Sequence, residues 1–181
     1  MVWGGIGPRG YRTPLLNFKG RVNAEKYITS LLSNNIVPHI TSVFGNNWTW
    51  QQDNARPHIA FTTQFILRRI MPNSIPWPAK SPDLSPIEQV WDYIKRRLRG
   101  KTFDNADELY NAIRNEWDAI PNEILHSIYS SFQARLYVCA QNNGQNLNGH
   151  WKQVHEVHDT YRTELHYYTD PNTNKTYVYD I

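Results

Sequence analysis

The sequence predicts an α/β fold in which a mixed sheet is flanked by helices. Its elements run strand, strand, helix, strand, helix, strand and then helices alone. The helical segments carry apolar residues at steps of three and four, and the short strand segments end in Gly, Pro, Asn and Asp. A chain of 181 residues with 40% hydrophobic content suffices for one packed domain and a tail. No run approaches the roughly 18 apolar residues a membrane helix needs. The opening Met-Val-Trp-Gly-Gly-Ile-Gly has no basic region before an apolar run, so it does not read as a secretory signal. The single cysteine, Cys139, has no internal disulfide partner and fits a reducing compartment. A net charge of +3 is mild, so the distribution of charge matters more than its sum.

Residues 1–6 and 13–18 read as strands around the turn Gly7-Pro8-Arg9-Gly10. Asn23 is placed to cap a helix carrying Ala24, Tyr27, Ile28, Leu31 and Leu32 on one face, reaching about Val37 before Pro38 interrupts it. Residues 47–52 alternate Trp48 and Trp50 with Thr49 and Gln51 and read as a strand ending in Asp53-Asn54-Ala55-Arg56-Pro57-His58. A helix over residues 58–71 is expected to bury Phe61, Phe65, Ile66 and Ile70, and residues 74–77 form a short strand. The Pro- and Ser-rich loop 78–86 leads into a helix over 86–99 with Ile87, Val90, Trp91, Ile94 and Leu98 on one face, ended by Gly100. Two more helices follow over 106–120, capped by Asp104, and 121–142, ended near Gly144. Residues 146–181 differ in composition and read as a polar tail with a hairpin pairing 164–169 with 175–180. The Trp and Tyr residues of the strands and helices read as core, with Tyr161, Tyr167 and Tyr168 left open as base-stacking groups.

Two carboxylates stand out by position. Asp53 ends a predicted strand, and Glu88 lies in the first turn of a helix after a Pro-rich loop. In α/β sheets ligands gather beyond the carboxyl ends of strands. Oxygen donors of this kind suit Mg²⁺ or Mn²⁺, and a pair of such ions clamps the attacking and leaving oxygens of a phosphodiester displacement. Each residue also has a plain structural reading. Asp53 serves equally as a turn residue or helix cap. Ser85-Pro86-Ile87-Glu88 makes a good capping box in which Glu88 reaches back to Ser85.

The stretch Gln51-Gln52-Asp53-Asn54-Ala55-Arg56-Pro57-His58, followed by Trp77-Pro78-Ala79-Lys80-Ser81-Pro82-Asp83-Leu84-Ser85-Pro86-Ile87-Glu88-Gln89-Val90-Trp91, resembles the mariner superfamily of DDE transposases. The 34 residues between Asp53 and Glu88 match the Tc-type branch, and Met1-Val2-Trp3-Gly4-Gly5 resembles the strand after that family's first catalytic Asp. The resemblance covers residues 1–145 and implies a ribonuclease-H-like sheet. It implies Asp53 and Glu88 as the second and third catalytic, metal-binding carboxylates, with Asn54 and His58 shaping the site and Asp83 a loop residue. It further implies Mg²⁺ or Mn²⁺ as cofactor, DNA as substrate, DNA transposition and integration as the process, paired protomers, and a nuclear location. A membrane or a small-molecule substrate is not implied.

The same resemblance places the family's first Asp, on the first and central strand, upstream of Met1, so an incomplete two-ion site and impaired cleavage are expected. The C-terminal strand is one candidate to fill that gap, with Asp170 or Asp180 replacing the lost carboxylate. Lys95, Arg96, Arg97, Arg99 and Lys101 follow Glu88 as a basic run suited either to DNA phosphates or to an ordinary helix C-terminus. Arg56 and His58 join them as candidate DNA contacts, with Arg68 and Arg69 as further phosphate contacts. Three functional classes stay open: a strand transferase, a non-catalytic nucleic-acid-binding module, and a decayed gene fragment.

Overall fold

The computed structural model describes residues 1–145, 147, 166–169 and 176–179. The chain divides into two units, one of Met1–Ile6, Arg12–Ser81 and Arg97–Ala119, the other of Gly7–Tyr11, Pro82–Arg96 and Ile120–Ile181.

In the first unit β1 (Val2–Trp3) pairs antiparallel with β2 (Leu16–Asn17). The two expected strands shrink to this because a side chain takes over part of the ladder. Gly5 N–H donates to Thr13 Oγ1 at 2.8 Å, and Pro14 brings no N–H of its own. The hairpin is locked by α6 (Ala106–Asp118), whose Trp117 is 1% exposed and donates its indole N–H to the Thr13 carbonyl at 3.1 Å. Gly4 is required here, since a Cβ would lie 2.7 Å from the Trp117 ring. Asn105, one residue beyond the expected Asp104, caps α6 by accepting the Glu108 N–H at 2.8 Å, while the Glu108 carboxylate accepts the Asp104 N–H at 2.8 Å.

Asn23 caps α1 (Ala24–Ser33) as expected, accepting the Lys26 N–H at 2.8 Å, and the helix buries Tyr27, Ile28 and Leu31. It stops at Ser33 because Asn35 adopts a left-handed φ of 52°, which Asn tolerates. The chain then starts α2 (Ile36–Phe44), so Pro38 lies in a first turn, where its missing N–H costs nothing. Helix α1 packs against α2, α3 (Arg56–Ile59) and α4 (Phe61–Ile70). The single helix expected over 58–71 is broken by extended backbone at Ala60 (ψ 141°). That break sets which face turns inward. Thr63 Oγ1 donates to the Pro57 carbonyl at 2.6 Å, and Thr63 and Leu67 are buried. The expected core residues Phe61 and Phe65 are 80% and 49% exposed, and Ile66 and Ile70 are half-buried.

The strands expected over 47–52 and 74–77 reduce to one parallel bridge, Trp50 to Ser74. Side-chain amides link the two segments instead: Asn73 Nδ2 donates to the Trp48 carbonyl at 3.4 Å and Asn54 Nδ2 to the Trp77 carbonyl at 2.8 Å.

In the second unit α7 (Asn122–Gln141) packs on the 3₁₀ turns Pro8–Gly10 and Pro82–Leu84 and buries Leu125, Ala134, Arg135 and Val138. Gly10 (φ 73°) has no room for a side chain, because a Cβ would meet the Asn122 carbonyl oxygen at 2.8 Å. Helix α5 (Pro86–Leu98) buries Pro86, Val90 and Ile94, while Ile87, Trp91 and Leu98 of its expected apolar face are half-buried. In the tail β3 (His166–Thr169) pairs antiparallel with β4 (Thr176–Tyr179). Among the described residues β4 bonds to β3 alone, in a sheet separate from β1–β2, which corrects the expectation that the last strand enters the N-terminal sheet. A strand satisfied by its own hairpin neighbour along a full four-residue register needs no other partner on that edge. Asp170 and Asp180 lie outside the described residues.

Candidate functional site

Asp53 follows the Trp50 bridge residue and precedes α3, in the gap between the last paired residue and the next helix. Its side chain is 67% exposed, yet one oxygen is tied down. Oδ1 accepts the Ala55 N–H at 3.1 Å and lies 2.6 Å from His58 Nδ1. With Asp53 ionised, His58 Nδ1–H is the donor. Both contacts use Oδ1, and among the described residues no hydrogen bond or ion pair engages Oδ2.

Behind Asp53 stands a network that sequence reasoning did not identify. The His58 ring, 18% exposed, lies 4.5 Å from the Tyr27 ring. Tyr27 O–H and Trp50 Nε1–H both donate to Gln52 Oε1, at 2.8 and 3.0 Å. The His58 carbonyl accepts Nε2–H bonds from Gln64 at 2.7 Å and Gln52 at 3.5 Å. His58 is therefore gripped at ring and backbone and faces Asp53. Burial pushes the Tyr27 hydroxyl well above its usual pKa, so Tyr27 stays a neutral donor. The sequence pointed to His58 as shaping the site and carries Gln52 directly before Asp53, but not the links among them; Tyr27 read simply as core. A cavity of about 350 Å³ beside Asp53 is lined by Gln52, Asn54, Arg68, Pro76 and Trp77 among others.

Glu88 is differently placed. It is exposed in the first turn of α5, at a cavity of about 500 Å³ that Asp83, Asp92, Tyr93, Arg96 and Arg135 also line. The capping-box expectation fails: the Ser85 N–H donates to the Pro82 carbonyl at 3.1 Å, because the 3₁₀ turn Pro82–Leu84 delivers that carbonyl first. Among the described residues the Glu88 carboxylate has neither a hydrogen bond nor an ion pair. Asp83 is structural, as expected. Its carbonyl accepts Arg135 Nη1–H at 2.9 Å and its Oδ2 accepts the Leu147 N–H at 2.9 Å. Arg135, 1% exposed, is a second group the sequence did not single out; burial lowers its pKa to about 10 while Asp83 opposes the fall, so it is charged at neutral pH.

The basic run after Glu88 is partly neutralised. Arg96 pairs with Asp92 at 2.6 Å, and Arg97 and Lys101 pair with Glu116 at 2.5 and 3.5 Å. Lys95 and Arg99 form no such pair among the described residues, and Arg56 is exposed on α3.

As metal donors, Asp53 and Glu88 fit Mg²⁺ or Mn²⁺ in kind, being ionisable oxygens with free valence. Among the described residues no group of three or more His, Cys, Asp and Glu side chains gathers as a metal site.

A family model described as DDE superfamily endonuclease matches residues 1–110. The Tc1 transposase of Caenorhabditis elegans is 30% identical over 144 residues, covering 80% of this chain and 52% of that protein. The Tcb1 transposase of Caenorhabditis briggsae is 31% identical over 135 residues, covering 75% of this chain and 49% of that protein. The chain thus spans about half the length of these curated relatives. Among solved structures, the Mos1 mariner transposase catalytic domain superposes with a TM-score of 0.64 at 21% identity, covering 75% of this chain and 68% of that one. The same domain solved with Mn and raltegravir also gives a TM-score of 0.64 at 21% identity, covering 75% of this chain and 70% of that one, and a shared fold follows. On the two long motifs around Asp53 and Glu88, the family match and the shared fold, the chain belongs to the DDE superfamily endonucleases as a mariner-type transposase domain.

Proposed function

We propose that this chain is a transposase-derived DNA-processing domain in which Asp53 and Glu88 serve as two catalytic carboxylates of a divalent-metal-dependent phosphodiester chemistry. The reading is carried by one observation: neither Asp53 Oδ2 nor the Glu88 carboxylate is committed to a protein donor among the described residues. A bound Mg²⁺ or Mn²⁺ pair would supply charge stabilisation to the attacking and leaving oxygens. The protein's own part is positioning: His58 and the Ala55 amide hold Asp53 Oδ1, and the first turn of α5 presents Glu88. DNA is the substrate in this reading, with Arg56, Lys95 and Arg99, which form no ion pair among the described residues, as cations to meet phosphates. Nuclear location and paired protomers belong to the same proposal.

A second reading, a nucleic-acid-binding module without catalysis, is favoured by the lack of a three-ligand cluster among the described residues. One experiment separates the two. Mn²⁺ binding to the 181-residue chain is followed by the electron paramagnetic resonance of free Mn²⁺, beside plasmid nicking and a gel shift. Metal binding lost in both Asp53→Asn and Glu88→Gln supports the carboxylate assignment. Nicking lost with it supports catalysis, whereas a gel shift without nicking supports the binding module. Mn²⁺ binding indifferent to both substitutions overturns the assignment.

A further inference from the structure

Helix α4 carries an exposed column of three planar groups at four-residue spacing. Phe61 and Phe65 stack with ring centroids 6.0 Å apart and an interplanar angle of 27°. The Arg69 guanidinium lies 3.5 Å over the Phe65 ring, held there by an Nη1–H bond to the Phe65 carbonyl at 3.2 Å. Arg69 therefore closes one end of the column, and Phe61, 80% exposed, leaves the other end open. Two exposed phenylalanines stacked on each other cost hydration free energy unless something covers them.

Charge indicates what that cover is. Residues 1–82 contain nine Lys and Arg but only two acids, Glu25 and Asp53, so α4 stands in the middle of a long stretch without a carboxylate except the site residue itself. Arg68, the neighbour of Arg69, lines the cavity beside Asp53. An aromatic face carried on a chain segment rich in cations and poor in acids suits a polyanion that also carries flat rings. An apolar protein partner would explain the rings but not the charge.

We propose that Phe61, Phe65 and Arg69 form a stacking platform for an unpaired DNA base, continuing the column at Phe61 while Arg68 and Arg56 meet the flanking phosphates. The proposal rests on the reading that this domain acts on DNA, and it adds that the preferred DNA is frayed or single-stranded rather than fully paired. Stacking on both faces is closed to a base inside a duplex, whose neighbours already cover it, and open to an unpaired base.

The test is fluorescence anisotropy of the full chain with a labelled oligothymidylate strand and with a duplex of equal length whose two ends are closed by non-nucleotide linkers. Phe61 is exposed, so Phe61→Ala leaves folding intact, which circular dichroism checks. Phe61→Ala weakens single-strand binding about tenfold, within the range for loss of one base–aromatic stack. Its affinity for the closed duplex is unchanged, and Phe61→Trp retains single-strand affinity. Equal losses on both DNAs, or none on the single strand, overturn the platform while leaving DNA binding intact. A wild-type chain that binds neither DNA overturns the underlying DNA reading and the platform with it. Self-association in sedimentation that Phe61→Ala abolishes, with DNA affinity unaffected, assigns the surface to a second copy of the chain and also overturns the proposal.

Discussion

The two proposed carboxylates are held in opposite ways. Asp53 sits in irregular backbone, with one oxygen fixed by His58 and the Ala55 amide and with Tyr27, Gln52 and Gln64 fixing His58 in turn. Glu88 sits on a regular helix and is positioned by its backbone alone, its carboxylate free of partners among the described residues. A side chain on a loop needs a hydrogen-bond scaffold to stay in place, whereas a helix sets the Cα–Cβ direction of its first-turn residues through φ and ψ and leaves the χ torsions of a Glu to turn. The surrounding charge differs as well. Asp53 is the sole acid between Glu25 and Asp83, while Glu88 shares its cavity with Asp83 and Asp92.

That contrast is open to attack at several points. The deepest is Trp117, which anchors the hairpin in the unit that carries Asp53. Trp117→Ala is expected to destabilise by about 3–5 kcal/mol in a denaturant melt, the usual range for deleting a buried aromatic. A loss below about 1 kcal/mol would mean that the unit is not organised around this indole. Next is His58→Ala, which removes the main support of Asp53. Mn²⁺ affinity is expected to fall about tenfold, at the low end for loss of an outer hydrogen bond to a metal ligand. Gln89→Ala, beside Glu88, leaves it unchanged. Equal effects of the two substitutions would erase the difference between the sites.

Glu116 gives a smaller, pH-dependent effect. Its hydrogen bond from Arg97, aided by Lys101, holds its pKa below the ordinary Glu value. A depressed folded pKa stabilises above the unfolded pKa of about 4.3, and that contribution disappears as pH falls through the lower folded value. Glu116→Gln is therefore expected to lose about 0.5–1 kcal/mol at neutral pH, as exposed pairs do. Thermal melts of the two proteins should converge in acid; a gap that persists there would assign the loss to packing instead. The smallest effect is the most diagnostic. Glu88→Gln should change stability by less than about 0.5 kcal/mol, because among the described residues no donor depends on the carboxylate. A loss near 1 kcal/mol would restore the capping role that the sequence suggested.

The legibility of the sequence varied with the range of the interactions involved. Asn23 as a helix cap, the helix over 86–98 and the end of α7 near Gly144 were readable because each depends on residues within one turn. Phe61 and Phe65 were misread because helical spacing identifies an apolar stripe but not which way it turns, and the break at Ala60 gave the inner face to Thr63 and Leu67. The segments around Trp50 and Ser74 read as strands by composition, yet a strand exists only where a partner completes its ladder, and here the backbones pair at a single bridge while Asn side chains make the remaining links.

By itself, the sequence determined the family, through two motifs at a set separation, and the two carboxylates those motifs carry. It also determined the local capping chemistry of α1. Only tertiary structure decided that Tyr27 and Gln52, 25 residues apart, bond directly and flank His58 behind Asp53, and that the Ser85 N–H turns to Pro82 and leaves the Glu88 carboxylate without a partner among the described residues. The physical reason is one of range. Motif spacing and caps are written in neighbouring residues, whereas the partner of a hydrogen-bond donor is chosen by whichever acceptor the whole fold brings within about 3 Å.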